Sequence, residues 1–147
     1  PYLESLTQAD IAWGFFSGAT RGSANYVLEK RLGLQSPVLI AMEDAPGKPD
    51  PTGLLATIQQ LETSSPPTST PVIYVGDTVA DMHTVQRAKA VAPSRTWIGV
   101  GVLPPHVQKT PDYATNYAEK LKAAGADTVL PNVAQLTVEV IQSLFQT

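Results

Sequence analysis

Five short apolar runs, set apart by stretches with the spacing of helices, most constrain what this chain can fold into. The runs are residues 11–16, 38–42, 72–75, 96–100 and 128–130. Each is brief and apolar with little alternation, the pattern of strands covered by helices on both faces of a sheet. Between and after them lie five segments of helical character, residues 23–32, 51–61, 79–90, 113–124 and 134–145. Strand and helix in regular alternation predict an α/β architecture, a Rossmann-like and mainly parallel sheet with helices on both faces.

The clearest helix is the second. Asp50 is placed to cap its first amides, Pro51 suits the first helical position, and Leu54, Leu55, Ile58 and Leu61 form one apolar stripe. Gly33 fits as the stop of the first helix. Val79, Met82 and Val85 are expected on one face of the third, and Leu136, Val140, Ile141 and Leu144 recur at helical spacing in the last. Residues 62–71 are rich in Ser, Thr and Pro and read as a solvated connection, and residues 103–111 as a second Pro-rich loop. There is no internal repeat.

A chain of 147 residues, 43% hydrophobic and 16% charged, is sized for one domain and has the apolar side chains for a core. Its net charge of −3 offers no basic field, which argues against nucleic acid as a partner. Without cysteine there is no disulfide framework, thiolate metal site or cysteine nucleophile. No apolar run reaches the ~18 residues of a membrane span, so a cytoplasmic protein with no membrane partner is expected. The chain opens at Pro1 without methionine, and is expected to be either trimmed or part of something longer.

Three local patterns could carry chemistry. Gly76-Asp77-Thr78-Val79-Ala80-Asp81 directly follows an apolar strand, where ligands of doubly wound sheets bind. Asp81 falls one helical turn beyond Asp77, so the two carboxylates can share a crevice and suit Mg2+, which takes one or two carboxylates and keeps waters. The competing reading makes Asp77 a helix cap and Asp81 a first-turn acid favoured by the helix dipole. Phe16-Ser17-Gly18-Ala19-Thr20-Arg21-Gly22 offers a hydroxyl and flexible amides ahead of a helix, a phosphate cradle or simply a steric turn, with Arg21 a phosphate contact or a solvated charge. In Gly47-Lys48-Pro49-Asp50-Pro51 the lysine is restrained between glycine and proline, a point charge for phosphate or an ordinary surface cation.

The order of these patterns resembles motifs two, three and four of the haloacid dehalogenase (HAD) superfamily of phosphohydrolases. Lys-Pro-Asp-Pro and Gly-Asp-Thr-Val-Ala-Asp are similar to common forms of that superfamily, and the likeness runs from about Ile11 to Leu136. The resemblance implies that Ser17 hydrogen-bonds the transferring phosphoryl oxygen and that Lys48 stabilises the nucleophile and the phosphoryl group; the cradle reading adds Gly18 and Arg21 as substrate contacts. It implies that Asp77 binds Mg2+ directly while Asp81 holds a metal-bound water or orients the lysine. The substrate class it implies is a small phosphorylated molecule.

One departure weighs against that match. Such enzymes attack phosphate with an aspartate of an Asp-x-Asp motif at the end of their first strand, forming an aspartyl-phosphate that water cleaves. No Asp-x-Asp occurs in the chain; Asp10 precedes the first strand and Asp44 follows the second. Residues 1–147 are therefore expected to be a partial HAD-like core, its central motif-one strand and cap absent, inactive until an N-terminal fragment or a second chain supplies the strand. The alternative is a non-catalytic HAD-like protein that binds a partner, for instance by strand addition. A dinucleotide fold is disfavoured, because Gly99 and Gly101 do not complete the glycine fingerprint. His83 reads as solvent-facing, His106 as no metal ligand, and Trp13, Tyr74 and Trp97 as strand residues of the core.

Overall fold

In a computed structural model, residues 2–9, 11–16, 21–26, 39–40, 50–64 and 71–144 are described. The chain divides into two compact units, Leu3–Thr68 and Ser69–Thr147, with Tyr2 grouped in the second. The elements run α1 (Tyr2–Gln8), β1 (Phe15–Phe16), α2 (Arg21–Asn25), β2 (Leu39–Ile40), α3 (Thr52–Ser64), β3 (Val72–Gly76), α4 (Val79–Val91), β4 (Trp97–Val102), α5 (Pro111–Ala123), β5 (Thr128–Leu130) and α6 (Val138–Leu144). Short 3-10 turns span Pro105–Lys109 and Val133–Gln135. The fold is α/β and every described strand pair is parallel.

In the first unit, β1 pairs with β2 through Phe15 with Leu39 and Phe16 with Ile40. Helix α3 starts as expected from sequence. Asp50 Oδ1 accepts from the Thr52 amide at 2.9 Å, and Pro51 contributes the carbonyl that Leu55 N–H binds at 3.0 Å. Leu54 and Ile58 are buried, while Leu55 and Leu61 are half-buried. Residues 11–14 are not strand, which corrects the expected first run, and α1 precedes them. Trp13 therefore lies outside any strand: its Nε1 donates to Thr7 Oγ1 at 2.9 Å, and its ring meets Phe15 edge-on at 5.8 Å. The remainder of the expected first helix and of the second strand lies outside the described residues.

The second unit is a three-stranded sheet of order β3-β4-β5. Its register matches Val72 with Trp97, Tyr74 with Gly99, Gly76 with Gly101, and Val100 with Thr128. Residues 97–101 of β4 are all buried, so both of its faces are covered. On one of them Gly99 and Gly101 leave room for helices. A Cβ on Gly99 would meet Val85 of α4 at 3.0 Å, and one on Gly101 would meet Leu121 of α5 at 2.8 Å. Met82, Val85 and Ala88 of α4 and Leu121 of α5 are almost wholly buried. Burying such side chains contributes about 1.5–3 kcal/mol for each large one.

Local chemistry sets the ends of these helices. Thr110 caps α5 by accepting from Tyr113 N–H, with Pro111 in the first turn, so α5 begins two residues earlier than its apolar pattern indicates. Beyond its end, Gly125 takes φ +121°, a left-handed value that glycine adopts without a Cβ penalty. The expected last helix is split. Leu136 is buried but not helical, and Thr137 starts α6 by taking the Val140 amide on its hydroxyl and the Ile141 amide on its carbonyl. In α4, Val79 is 39% exposed, so the buried face runs through Asp81, Met82, Thr84, Val85 and Ala88 instead. Among the described residues, no helix is long and apolar enough to cross a membrane.

Candidate functional site

The acidic loop stands at the carboxyl end of β3, between Gly76 and the first turn of α4. A parallel sheet directs its strand ends toward one rim, and side chains on the following turns project there. Asp77 is exposed, and among the described residues nothing hydrogen-bonds its carboxylate. Asp81 is only 4% exposed.

Burial of a carboxylate demands donors, and Asp81 has them. Its Oδ2 accepts from the Asp77 amide at 3.1 Å, the Thr78 amide at 3.2 Å and the Thr78 hydroxyl at 2.9 Å. Its Oδ1 accepts from the Tyr74 hydroxyl at 3.0 Å. Thr78 returns the contact by taking the Asp81 amide on Oγ1 at 3.1 Å, which completes a capping box. The cap of α4 is thus Thr78, where sequence offered Asp77 for that place, and Asp77 keeps its carboxylate for solvent.

Gly76 makes this arrangement sterically feasible. A Cβ there would stand 2.4 Å from Asp81 Cβ and 2.6 Å from Asp81 Oδ2. The strand end and the helix start can approach so closely only because position 76 lacks a side chain.

Two phenols complete the loop. Tyr74 is buried on β3, and Tyr117 of α5 donates a hydrogen bond to the Asp77 carbonyl oxygen. Burial pushes the Tyr74 hydroxyl well above the usual phenol range, and the charge and hydrogen bond of Asp81 and the charge of Asp77 add to the rise. The Tyr117 hydroxyl is also raised, by burial first and then by the Asp77 and Asp81 carboxylates and Tyr113. Both phenols therefore stay protonated and able to donate.

The remaining sequence-derived candidates divide into two groups. Ser17, Gly18 and Lys48 lie outside the described residues, as do Asp10 and Asp44. Arg21 opens helix α2. His83 is exposed on α4, as expected, and His106 is exposed in a 3-10 turn. Gly99 and Gly101 lie within β4 beneath helices and belong to packing. From sequence, Tyr74 is a core residue, and it is buried; Thr78 and Tyr117 have no role there. Thr78-Val79-Ala80-Asp81 does carry the Ser/Thr-x-x-Asp/Glu signature of a capping box, and Tyr74 is two strand residues before Gly76, on the same face. Nothing local marks Tyr117, which reaches the loop from 40 residues away.

Among the described residues, no cluster of three or more metal-ligating side chains exists. The donor set nevertheless fits a hard cation that retains much of its water. Asp77 offers a free carboxylate, and Asp81 behind it holds the loop amides.

Comparison with known proteins bears on the fold and the family. A crystal structure of a phosphonoacetaldehyde hydrolase-like protein from Oleispira antarctica superposes with a TM-score of 0.72 at 23% identity, over 96% of this chain. The chain spans 53% of that protein's length, about half. No curated protein matches the chain. The sequence pattern of the haloacid dehalogenase-like hydrolases matches residues 1–89, more than half of the chain, so the protein belongs to the haloacid dehalogenase-like hydrolase family.

Proposed function

We propose that the chain is the phosphate- and metal-binding part of a Mg2+-dependent phosphomonoester hydrolase acting in the cytoplasm on a small phosphorylated molecule. The observation that carries this reading is the loop of Asp77 and Asp81 at the end of a parallel strand, one carboxylate free and the other fixed by four hydrogen bonds. Asp77 is assigned to the metal directly. Asp81 is assigned to hold the loop, and through it a metal-bound water. When bound, Mg2+ supplies positive charge that offsets the charge of the phosphoryl oxygens.

Ser17 and the Gly18 amide are assigned to donate to those oxygens, with Arg21 as a second cationic contact. Lys48 is assigned to neutralise the phosphoryl group and the attacking carboxylate together. The nucleophile is not among these residues, because the sequence holds no Asp-x-Asp. In this reading residues 1–147 are a partial HAD-like core, and the carboxylate arrives on a strand from another segment or chain, laid against the outer edge of β3. Among the described residues β3 stands at one end of its sheet order, which supports that placement.

The test is phosphate release from a broad panel of phosphomonoesters, with and without Mg2+, for the chain alone and for the chain combined with an Asp-x-Asp strand segment. Mg2+-dependent release that needs the segment, and is lost in Asp77→Asn and Lys48→Ala, is expected. No release from any substrate with the segment bound defeats the enzyme reading. That outcome favours a second reading, a non-catalytic protein that captures a partner strand at the same β3 edge.

A further inference from the structure

We propose that Tyr74 and Tyr117 are positioning residues that hold the Asp77–Asp81 loop rigid enough to favour Mg2+ over Ca2+. The inference rests on the metal-binding reading of that loop and deepens it by assigning the source of its ion selectivity.

The two phenols come from separate elements. Tyr74 projects from β3 to Asp81 Oδ1 at 3.0 Å, and is itself 8% exposed. With Oδ2 occupied by three donors from Asp77 and Thr78, the contact from Tyr74 fixes the rotation of the carboxylate about its last bond. Tyr117 acts on the backbone. The Asp77 amide donates to Asp81 and the Asp77 carbonyl accepts from Tyr117, so the peptide groups on both sides of its Cα are held.

Helix α5 is a firm base for Tyr117. One turn on, Leu121 is fully buried and seated against Gly101 of β4, where even a methyl group would stand 2.8 Å from it. A hydroxyl carried on a helix so closely packed cannot follow a shifting loop. Removing it leaves the Asp77 carbonyl free to move.

Rigidity of this kind discriminates between the two cations. Mg2+ demands near-octahedral geometry at short distances, whereas Ca2+ accepts longer contacts and irregular coordination. A loop locked at both Asp77 peptides and at the Asp81 carboxylate penalises the larger ion. A loosened loop loses affinity for Mg2+ while accommodating Ca2+ at little cost.

The experiment measures dissociation constants for Mg2+ alone and for Ca2+ alone by calorimetric titration. It covers the full chain, Tyr74→Phe, Tyr117→Phe, the double variant, and Tyr113→Phe as a control on an exposed neighbour. A lost hydrogen bond of ordinary strength corresponds to about a two- to twelve-fold change. The Mg2+-to-Ca2+ affinity ratio is expected to fall by that factor in each single variant, further in the double variant, and not in Tyr113→Phe. Equal weakening for both ions, which general destabilisation would cause, overturns the proposal, as does an unchanged ratio. Should Tyr74→Phe fail to fold, Tyr117→Phe, altered at a part-exposed position, decides alone by the same ratio. A wild-type chain that takes up neither cation overturns the metal reading itself and this inference with it.

Discussion

Replacing Gly76 with alanine probes the site at its tightest point. The new Cβ would stand 2.4 Å from Asp81 Cβ and 2.5 Å from Asp81 Cγ. Carbon atoms rest at about 3.5–4.0 Å, so the first turn of α4 must retreat from β3 by about 1 Å or more. Overpacking of this kind costs about 1–3 kcal/mol. The retreat also stretches the bonds between Asp81 and the Thr78 and Asp77 amides, and a lost cap costs about 0.5–2 kcal/mol. Together the expected loss is about 2–4 kcal/mol, or about 1–2 M in urea midpoint for an m-value of about 2 kcal/mol/M. Trp97 is buried on β4 opposite Val72 and reports on this unit, so the measurement is urea unfolding by tryptophan fluorescence in a Trp13→Phe background. In an Asp81→Ala background the penalty of Gly76→Ala should shrink, because two of the three crowded atoms are gone. A midpoint within about 0.2 M of the parent would refute the reasoning that position 76 is glycine for the sake of Asp81.

Two further outcomes follow from the same packing. The hydroxyls of Tyr2, Tyr74 and Tyr117 titrate above the ordinary phenol range when folded. The stability they contribute is fully present below the unfolded value of about 10 and is lost as pH rises past it, since the unfolded chain then ionises first. Ultraviolet titration should show fewer than the five phenolates of the sequence until the protein unfolds in alkali, with Tyr74→Phe shifting that unfolding to higher pH; five phenols ionising together near the ordinary value contradict this. Leu121→Ala should cost about 2–5 kcal/mol by calorimetry or urea, and a loss under about 1 kcal/mol would show that α5 is not anchored through that side chain.

Much of this was legible in the sequence where neighbouring residues decide the structure. The strand leading into Gly76 and the cap at Asp50 are local, and the Gly-Asp-Thr-Val-Ala-Asp segment carries the family resemblance and the candidate site. Elements shaped by distant partners were harder to read. β4 extends through Val102 because Leu121 fills the space over Gly101 and Leu130 pairs with its last residue, and neither is visible in residues 96–102. The final apolar stripe conceals a break because Leu136 is buried without being helical, so burial and helical spacing coincide by accident. Trp13 looked like a strand residue by its type, yet its indole N–H is bound by Thr7. At the site the acids were evident and their supports were not. Tyr74 was hidden by being a good core residue, and Tyr117 by a separation of 40 residues.

Whether Asp77 and its loop hold Mg2+ is decided by nuclear magnetic resonance of the labelled chain during Mg2+ addition. Saturable shifts centred on the amides of Gly76, Asp77 and Thr78, absent in Asp77→Asn, are expected. No saturable shift at these amides, or the same shifts in Asp77→Asn, would contradict it.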